Sequence, residues 1–262
     1  VQARGAPLDL TPKGDGRALA DRLGGELLPT GSVRLEKAGQ VSAHPGFATG
    51  DWWVLDAAAA MPVRVLAPAP GERVLDLCAG RGGKTIQLAA AGAEVTAVDV
   101  SPTRMARVAE ILARTGLSAE LVTADALEFE GGPFDAVLLD APCTATGTIR
   151  RHPDLPHAKD GSEFPGLFEL QEHLIDRALA MLKPGGRLVY CTCSLLIDEG
   201  EEQVRDAQAR HPDLVVDPTA LALPGIDPAW IGEEGGLRLR PDFWAERGGM
   251  DGFYIACLRQ AG

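Results

Sequence analysis

From about Val74 onward, short apolar runs alternate with longer segments whose apolar residues have helical spacing. This alternation most constrains the fold, because repeated strand–helix–strand units assemble into a parallel sheet with helices on both faces. Parallel strands are predicted at Val74–Cys78, Val95–Asp99, Glu120–Thr123, Phe134–Asp140 and Arg187–Thr192. Helices are predicted at Lys84–Ala91, Pro102–Thr115 and Leu167–Leu182. We therefore expect an α/β fold with a doubly wound sheet.

The sequence after the fifth predicted strand follows a different pattern. A helix is predicted at Glu199–Arg210, a short strand at Leu214–Asp217, and a final apolar strand at Gly252–Leu258 that we expect to form an antiparallel edge. Residues 218–249 are rich in Pro, Gly and Trp, which favours a long surface insertion. The predicted sheet is therefore mostly parallel, with one antiparallel edge strand.

The length of 262 residues, 45% of them hydrophobic, is enough for one large domain and a smaller appendage. Weak strand patterns around one helix precede the alternating region, so residues 1–70 are predicted to form a small α+β N-terminal subdomain and residues 71–262 the main domain. The first residue is Val1 rather than methionine, so we expect a trimmed chain or a part of a longer protein.

Cysteine usage and hydropathy indicate the compartment. The five cysteines are odd in number and none has the paired spacing of metal ligands, which favours reduced thiols and no metal. The most hydrophobic stretch, from Trp52 to Pro70, is interrupted by Asp56, Pro62 and Arg64, and the N-terminus lacks the pattern of a secretion signal. We therefore predict a cytoplasmic protein that does not bind membranes.

The net charge of −12 argues against a nucleic-acid partner, because phosphate binding draws on lysine and arginine. The acidic excess is concentrated toward the C-terminus, since residues 198–262 contain 13 acidic and 6 basic side chains, whereas residues 146–197 contain 6 of each. Net charge alone therefore does not exclude such a partner.

Two cysteines, Cys143 and Cys193, lie just beyond the fourth and fifth predicted parallel strands. The carboxyl ends of parallel strands meet at one edge of the sheet, so both thiols are expected to face one crevice. A buried cysteine is usually a small hydrophobic residue, but a thiolate is also a nucleophile suited to an electron-poor ring carbon, such as C6 of a pyrimidine. The placement of the pair favours covalent chemistry.

A glycine-rich loop at Asp76–Thr85 follows the first predicted parallel strand and leads into a helix. The position of the first glycine in a triphosphate-binding loop is taken by Cys78, and the acidic Asp76 would face the phosphates, so that ligand is disfavoured. A dinucleotide is possible, although Gly80–Gly83 does not form a regular GxGxxG pattern. The third possibility is an adenosyl cofactor without phosphates.

Carboxylates that follow successive strands favour this third ligand. Asp99 follows the second strand at about the spacing expected for an acid that binds a ribose, and Asp125 follows the third. The loop and these two acids, in this order, indicate S-adenosylmethionine. The predicted cofactor-binding residues are Cys78, Ala79, Gly80, Arg81, Gly82, Gly83, Lys84, Asp99, Asp125 and Asp140.

Several dispersed motifs give the chain a resemblance to a known family. They are Asp76–Thr85, Asp140–Cys143 with Arg150–Asp154, and Tyr190–Ser194. In these motifs the chain resembles the Sun/nucleolar-protein family of RNA 5-methylcytosine methyltransferases, and within it the bacterial enzymes that act on small-subunit ribosomal RNA. The resemblance implies a Rossmann-like class I methyltransferase sheet, S-adenosylmethionine as cofactor and RNA as substrate.

The resemblance also implies a role for each catalytic residue. Cys193 is expected to attack C6 of a cytosine, which makes C5 nucleophilic enough to accept a methyl group. Cys143 is expected to assist removal of the C5 proton and release of the enzyme. Asp140 would hold the cytosine edge, and Lys84 would pair with Asp140 or balance charge around the cofactor.

The expected partner is RNA, with small-subunit ribosomal RNA favoured as substrate. Arg150 and Arg151 are predicted to contact its backbone phosphates, and the N-terminal subdomain to contact RNA as well. We expect a monomer. Two alternatives stay open: a transfer RNA cytosine C5-methyltransferase, and a catalytically weak assembly factor that binds RNA and cofactor.

Three positions depart from the pattern of the family. Leu55 stands where a glutamine is usual, Gly80-Arg81 where Ala-Pro is usual, and Gly200 where an asparagine is usual. At these positions we expect the contacts in this chain to differ from those in other members of the family.

Overall fold

A computed structural model describes residues 5–37, 39–155 and 161–260. A small antiparallel sheet comes first in the chain, with the strand order β2-β3-β1-β4. Its strands are β1 (Leu8–Pro12), β2 (Glu26–Leu27), β3 (Val33–Leu35) and β4 (Trp52–Val54), and helix α1 (Gly16–Leu23) follows β1. Helix α2 (Ala57–Leu66) leads from this sheet to the rest of the chain.

The large sheet has the strand order β10-β12-β9-β8-β5-β6-β7, with β11 also paired to β12. Its strands are β5 (Arg73–Leu77), β6 (Glu94–Asp99), β7 (Glu120–Thr123), β8 (Phe134–Asp140), β9 (Leu182–Thr192), β10 (Leu214–Val216), β11 (Leu237–Leu239) and β12 (Phe253–Gln260). The helices are α3 (Gly83–Ala90), α4 (Pro102–Thr115), α5 (Phe164–Ala180) and α6 (Glu201–Arg210). Strands β5 to β9 are mutually parallel, which confirms the predicted mostly parallel α/β sheet.

Alternate residues of the central strands pack on opposite faces of the sheet, as their twofold period requires. On one face, Val74 and Val189 pack with residues of α2 and α3. On the other face, Leu75 and Leu188 pack with residues of α5 and α6. The sheet is therefore buried on both sides, which explains why its strands are nearly continuous apolar runs.

The C-terminal strand β12 runs antiparallel to β9, as predicted. It is not the outermost strand, however, because the short strands β10 and β11 pair with it in turn. Within the predicted insertion at 218–249, Trp230 and Trp244 pack against the core of the large sheet. This segment therefore covers part of the sheet.

The N-terminal sheet contains one strand, β4, that the sequence pattern did not reveal. Its Trp52 and Trp53 are both buried. Helix α2 packs with the large sheet through Met61, Val65 and Leu66, although it lies within the predicted subdomain 1–70. The division at residue 70 stays a prediction.

Within the described part of the chain, no helix is long and apolar enough to cross a membrane. All five cysteines are free thiols.

Candidate active site

The glycine loop is built around a buried acid at the end of β5. Asp76 has no exposed surface, and its Oδ2 accepts a hydrogen bond of 2.5 Å from the Thr85 hydroxyl at the start of α3. Burial raises the pKa of Asp76 to about 7, although Thr85 and the charge of Lys84 oppose this rise. Gly82 has a φ of +78°, and a Cβ there would lie 2.7 Å from the Val108 side chain. Glycine is therefore required where the loop meets α4.

Asp99, at the end of β6, holds the same loop from the neighbouring strand. Its Oδ2 accepts a hydrogen bond of 2.8 Å from the Gly80 N–H. Its Oδ1 accepts from the Ser101 N–H at 2.8 Å and from Arg104 Nε at 2.9 Å. The predicted ribose-binding acid thus has its carboxylate fixed at the edge of the loop, while the paired Arg104 side chain is 46% exposed.

Asp140, at the end of β8, pairs with Lys84, which is one of the two roles that the resemblance implied for Lys84. Lys84 Nζ lies 2.7 Å from Asp140 Oδ2 and 5.2 Å from the centre of the Phe253 ring. Burial is the largest single influence and would lower the pKa of Lys84, but the charge and the hydrogen bond of Asp140, together with smaller contributions from nearby groups, outweigh it and raise the pKa, so the ammonium is retained. Cys191 Sγ donates to Asp140 Oδ1 at 3.7 Å, and burial raises the pKa of this thiol well above its usual range. Both carboxylate oxygens of Asp140 are therefore oriented.

The two predicted catalytic thiols are neighbours. Cys143 Sγ and Cys193 Sγ are 3.5 Å apart, and both side chains are half-buried. The hydrogen bond with Cys193 and burial raise the pKa of Cys143 well above its usual range. Either sulfur can be the hydrogen-bond donor in this contact.

One cavity of about 360 Å³ is lined by residues from two parts of the site, the glycine loop with the strand-end carboxylates and the pair of thiols. Among the predicted residues, it is lined by Cys78, Gly80, Asp99, Asp125, Asp140, Cys143 and Cys193. The other loop residues and both arginines do not line it; they are Ala79, Arg81, Gly82, Gly83, Lys84, Arg150 and Arg151. The cavity therefore joins the carboxylates at the ends of β6 to β8 with both thiols.

The lining of this cavity fits an adenosyl group. Asp125 is exposed, with its Oδ1 accepting from the Leu127 N–H at 2.9 Å, and Val100, which also lines the cavity, keeps 62% of its surface exposed. The cavity therefore offers an exposed carboxylate and an apolar side chain. A Cβ at Gly80 would meet only the Cys78 carbonyl oxygen, at 3.8 Å, which leaves open space on the loop. Hydroxyl and amino groups of an adenosine can be bound by such acids, with the purine against Val100.

Arg150 does not have the exposure that its predicted phosphate contact requires. Its side chain is 1% exposed and pairs with Asp56 at 2.5 Å and with Asp251 at 3.5 Å. This burial corrects the prediction for Arg150, whose role is to neutralise two buried carboxylates. Arg151 also pairs with Asp251, at 2.6 Å, but is 41% exposed, and its contact with RNA stays a prediction.

Two residues that sequence reasoning did not assign to the site support the two loops that carry Cys143 and Cys193. Arg238 of β11 donates to the carbonyl oxygens of Ser194 at 2.5 Å and of Leu196 at 3.3 Å, and it pairs with Glu201. A Cβ at Gly200 would collide with Arg238 and lie 2.7 Å from Tyr254 Cγ. The glycine at this departure from the family pattern therefore makes room for Arg238.

The second unassigned residue is Glu199, which has no exposed surface. Its carboxylate accepts hydrogen bonds from the N–H and the hydroxyl of Thr144, the neighbour of Cys143. An acidic residue is common just before or at the start of a helix. The position of Glu199 in the sequence therefore gave no sign of its contact with Thr144.

In residues 5–37, 39–155 and 161–260, no group of three or more His, Cys, Asp or Glu side chains is arranged to hold a metal ion.

Comparisons with known proteins identify the relatives of this chain. The family model for 16S rRNA methyltransferase RsmB/F matches residues 63–259, more than half of the chain. Ribosomal RNA small subunit methyltransferase B of Cronobacter sakazakii is 45% identical over 203 residues, which are 74% of this chain and 47% of that protein. The protein of the same name from Vibrio cholerae is 42% identical over 230 residues, which are 86% of this chain and 50% of that protein. The chain thus spans about half the length of these curated relatives.

Solved structures show the same similarity. A methyltransferase homolog protein from Pyrococcus horikoshii has a TM-score of 0.79 and 29% identity, and the match covers 99% of this chain and 88% of that one. NSun6 from Pyrococcus horikoshii, solved with the S-adenosylmethionine analogue SFG, has a TM-score of 0.70 and 28% identity over 84% of this chain and 56% of that one. The resemblance found in the sequence motifs is confirmed, and the chain belongs to the 16S rRNA methyltransferase RsmB/F family.

Proposed function

We propose that this chain methylates C5 of a cytosine in RNA, with small-subunit ribosomal RNA as substrate and S-adenosylmethionine as methyl donor. The observation that carries the proposal is the single cavity that both thiols and the carboxylates at the strand ends line. The names of the relatives support ribosomal RNA as the substrate class. S-adenosylmethionine, when bound, supplies an electrophilic methyl group.

Asp99 and Asp125 are the groups proposed to hold the ribose and adenine of the cofactor, with Val100 against the purine. The glycine loop contributes its backbone, since Gly80 leaves the space beside it open. Asp140, oriented by Lys84 and Cys191, is proposed to accept the exocyclic N–H of the cytosine.

Cys193 is the proposed nucleophile. Its sulfur forms a bond to C6 of the cytosine, and the electron pair of the C5–C6 double bond becomes available at C5. After C5 has accepted the methyl group, water accepts the C5 proton, the C5–H electron pair re-forms the C5–C6 double bond, and the S–C6 electron pair returns to the Cys193 sulfur. Cys143, whose raised pKa keeps it protonated, is proposed to donate to the departing Cys193 sulfur. Its part in removing the C5 proton stays a prediction.

Methyl transfer to purified ribosomal RNA, with the methylated cytosine mapped by bisulfite sequencing, tests this function. Cys193→Ala should lower the rate at least about 1000-fold, because the covalent step is lost. Cys143→Ser should accumulate a protein–RNA adduct that survives a denaturing gel, because release is impaired. Cys257→Ala, which removes a buried thiol from β12, is the control and should retain turnover.

Three results would overturn parts of the proposal. Normal turnover of Cys193→Ala would exclude this nucleophile. Methylation of transfer RNA in preference to ribosomal RNA would replace the substrate. Cofactor binding without transfer to either RNA would favour an assembly factor. The predicted cytoplasmic location and monomeric state stay predictions, which cell fractionation and sedimentation would check.

A further inference from the structure

The closeness of the two thiols is not provided by strand pairing. The parallel register of β8 and β9 ends at Asp140 and Cys191, and the next backbone bond joins the Ala141 N–H to the Cys191 carbonyl at 3.0 Å. Cys143 and Cys193 both lie beyond this point, on loops whose sequence positions differ by 50 residues. Their 3.5 Å separation therefore depends on contacts between the loops.

One buried carboxylate makes the principal side-chain contact with the Cys143 loop. Glu199 Oε1 accepts from the Thr144 N–H at 2.9 Å and from Gln171 Nε2 at 3.0 Å, and Glu199 Oε2 accepts from the Thr144 hydroxyl at 2.5 Å. Gln171 also donates to the Pro142 carbonyl at 2.8 Å. The residues on both sides of Cys143 are thus bound to Glu199 directly or through Gln171.

The same residue is fixed to the strand that carries Cys193. The Glu199 carbonyl oxygen accepts from the Tyr190 hydroxyl and from the Thr192 hydroxyl, each at 2.9 Å. Glu199 therefore connects the last residues of β9, through its backbone, with the Cys143 loop, through its side chain.

Two further sets of contacts join the loops. One is a backbone bond from the Gly147 N–H to the Cys193 carbonyl at 2.9 Å. The other is a hydroxyl network that consists of Thr144, Thr146 and Ser194. Ser194 Oγ lies 3.2 Å from Thr144 Oγ1 and 3.1 Å from Thr146 Oγ1. Ser194 directly follows Cys193, and Thr144 directly follows Cys143. Each thiol is thus adjacent to a member of the network, and Glu199 supplies the acceptor to which the Thr144 hydroxyl donates.

We propose that Glu199 is a positioning residue that holds the Cys143 thiol against the Cys193 sulfur. The two carboxylate oxygens of Glu199 accept from three donors, which are the Thr144 N–H, the Thr144 hydroxyl and Gln171 Nε2. Glutamine in its place would turn its N–H₂ toward at least one of these donors, so at least one of the present hydrogen bonds to residue 199 would be lost or reversed. The distance between Cys143 and Cys193 would then vary more, although the backbone bond from the Gly147 N–H to the Cys193 carbonyl would remain. The consequence for RNA release rests on the proposed function, whereas the geometric consequence does not.

The geometric consequence can be measured without RNA, by oxidation of the two thiols with diamide. Each thiol loses a proton, the pair gives two electrons to diamide, and an S–S bond forms while diamide is reduced to its hydrazine. A fixed pair reacts at a high effective concentration. We expect Glu199→Gln to form the Cys143–Cys193 disulfide at least about tenfold more slowly than the unchanged protein, as followed by mass spectrometry.

A pair of substitutions at one neighbour keeps the test informative if Glu199→Gln does not fold. Thr144→Val removes the hydroxyl with little change in shape and should slow disulfide formation, whereas Thr144→Ser keeps the hydroxyl and should restore the rate. Glu202→Gln removes a partly exposed carboxylate that pairs with Arg205, and should have no effect. Oxidation of folded Glu199→Gln or of Thr144→Val at the unchanged rate would overturn the proposal.

The adduct assay separates this inference from the proposed function. With RNA and cofactor, Glu199→Gln should accumulate the covalent adduct expected for Cys143→Ser, and Thr144→Ser should not. Slow oxidation of Glu199→Gln with no adduct in any variant would support the positioning role and contradict the proposed function. An adduct in Cys143→Ser but not in Glu199→Gln, with unchanged oxidation, would contradict the positioning role alone.

Discussion

The two halves of the cavity are held in place by different means. On the cofactor side, contacts are local: the glycine loop, its Asp76 and its Thr85 lie within ten residues, and Asp99 binds the loop from the adjacent strand. On the cysteine side, contacts join distant segments, because Glu199 reaches Thr144 across 55 residues and Arg238 reaches Ser194 across 44.

This difference explains how the amino-acid sequence specifies each half of the cavity. A loop that depends on its own backbone conformation requires glycine at defined positions, so its sequence is a recognisable motif. A pair of loops held by buried side chains depends on residues whose importance appears only after the chain has folded. Substitutions should therefore act on the cofactor side through backbone strain and on the cysteine side through lost partners.

The largest expected effect tests the dependence of the cysteine side on distant partners. Arg150→Met would leave the buried carboxylates of Asp56 and Asp251 without the cation between them. We expect the free energy of unfolding, measured in urea, to fall by about 3–5 kcal/mol.

Arg151→Met is the matched control, because Arg151 shares Asp251 but is 41% exposed. It should cost about 1–2 kcal/mol, less than Arg150→Met, because the Arg151 side chain is partly exposed and Arg150 stays 3.5 Å from the buried carboxylate of Asp251. Equal losses for the two variants would show that burial of Arg150 does not govern the stability of this side.

The second prediction concerns pH and the cofactor side. Asp76 keeps its proton in the folded protein up to a pKa of about 7, whereas in the unfolded chain it ionises near 3.8. Between these values the unfolded chain binds fewer protons, so this group makes the free energy of unfolding fall as pH rises, by up to about 1.4 kcal/mol per pH unit. Above about pH 7 its contribution becomes constant.

Asp76→Asn removes this titration while keeping an acceptor for the Thr85 hydroxyl. Urea unfolding from pH 4.5 to 8 should therefore show a shallower decline for the variant than for the unchanged protein. Parallel curves would mean that another group causes the decline.

The smallest expected effect separates two kinds of backbone requirement within one loop. Gly82→Ala would combine a φ of +78° with a collision against Val108, whereas Gly80→Ala would face only the strain of a φ of +59°. We expect thermal unfolding to show Gly82→Ala less stable than Gly80→Ala by about 1–2 kcal/mol. The reverse order would show that strain in the loop outweighs its packing on α4.

The features predicted most reliably from the sequence are those that depend on residues close together in the chain. Helix α4 has the predicted bounds, because Ser101 caps its first turn and Gly116 ends it with a left-handed conformation. The parallel strands were predicted because their apolar runs are buried on both faces. The convergence of Asp99, Asp140 and the two thiols followed from their positions after strands, since those ends share one edge.

What could not be predicted depends on partners far along the chain. An arginine pair in a loop looks the same in sequence whether it contacts phosphates or buried acids. The two acids that pair with Arg150 are 94 and 101 residues away in the chain. Strand β4 is three residues long and carries no period of its own, so only its pairing with β1 defines it. Glu199 was missed for the same reason, because its acceptor role exists only where the two loops meet.

Helix α2 shows why the two sheets would be difficult to express separately. Its first N–H, at Ala57, donates to Asp9 on β1, which also pairs with the buried Arg34, and Arg34 in turn binds the carbonyl of Gly249 near β12. A recombinant product cut at residue 70 would lose the helix that covers one face of the large sheet, and one cut before residue 57 would leave its first turn unpaired. Either product should be insoluble or molten, so engineering of this protein is better confined to whole-chain variants.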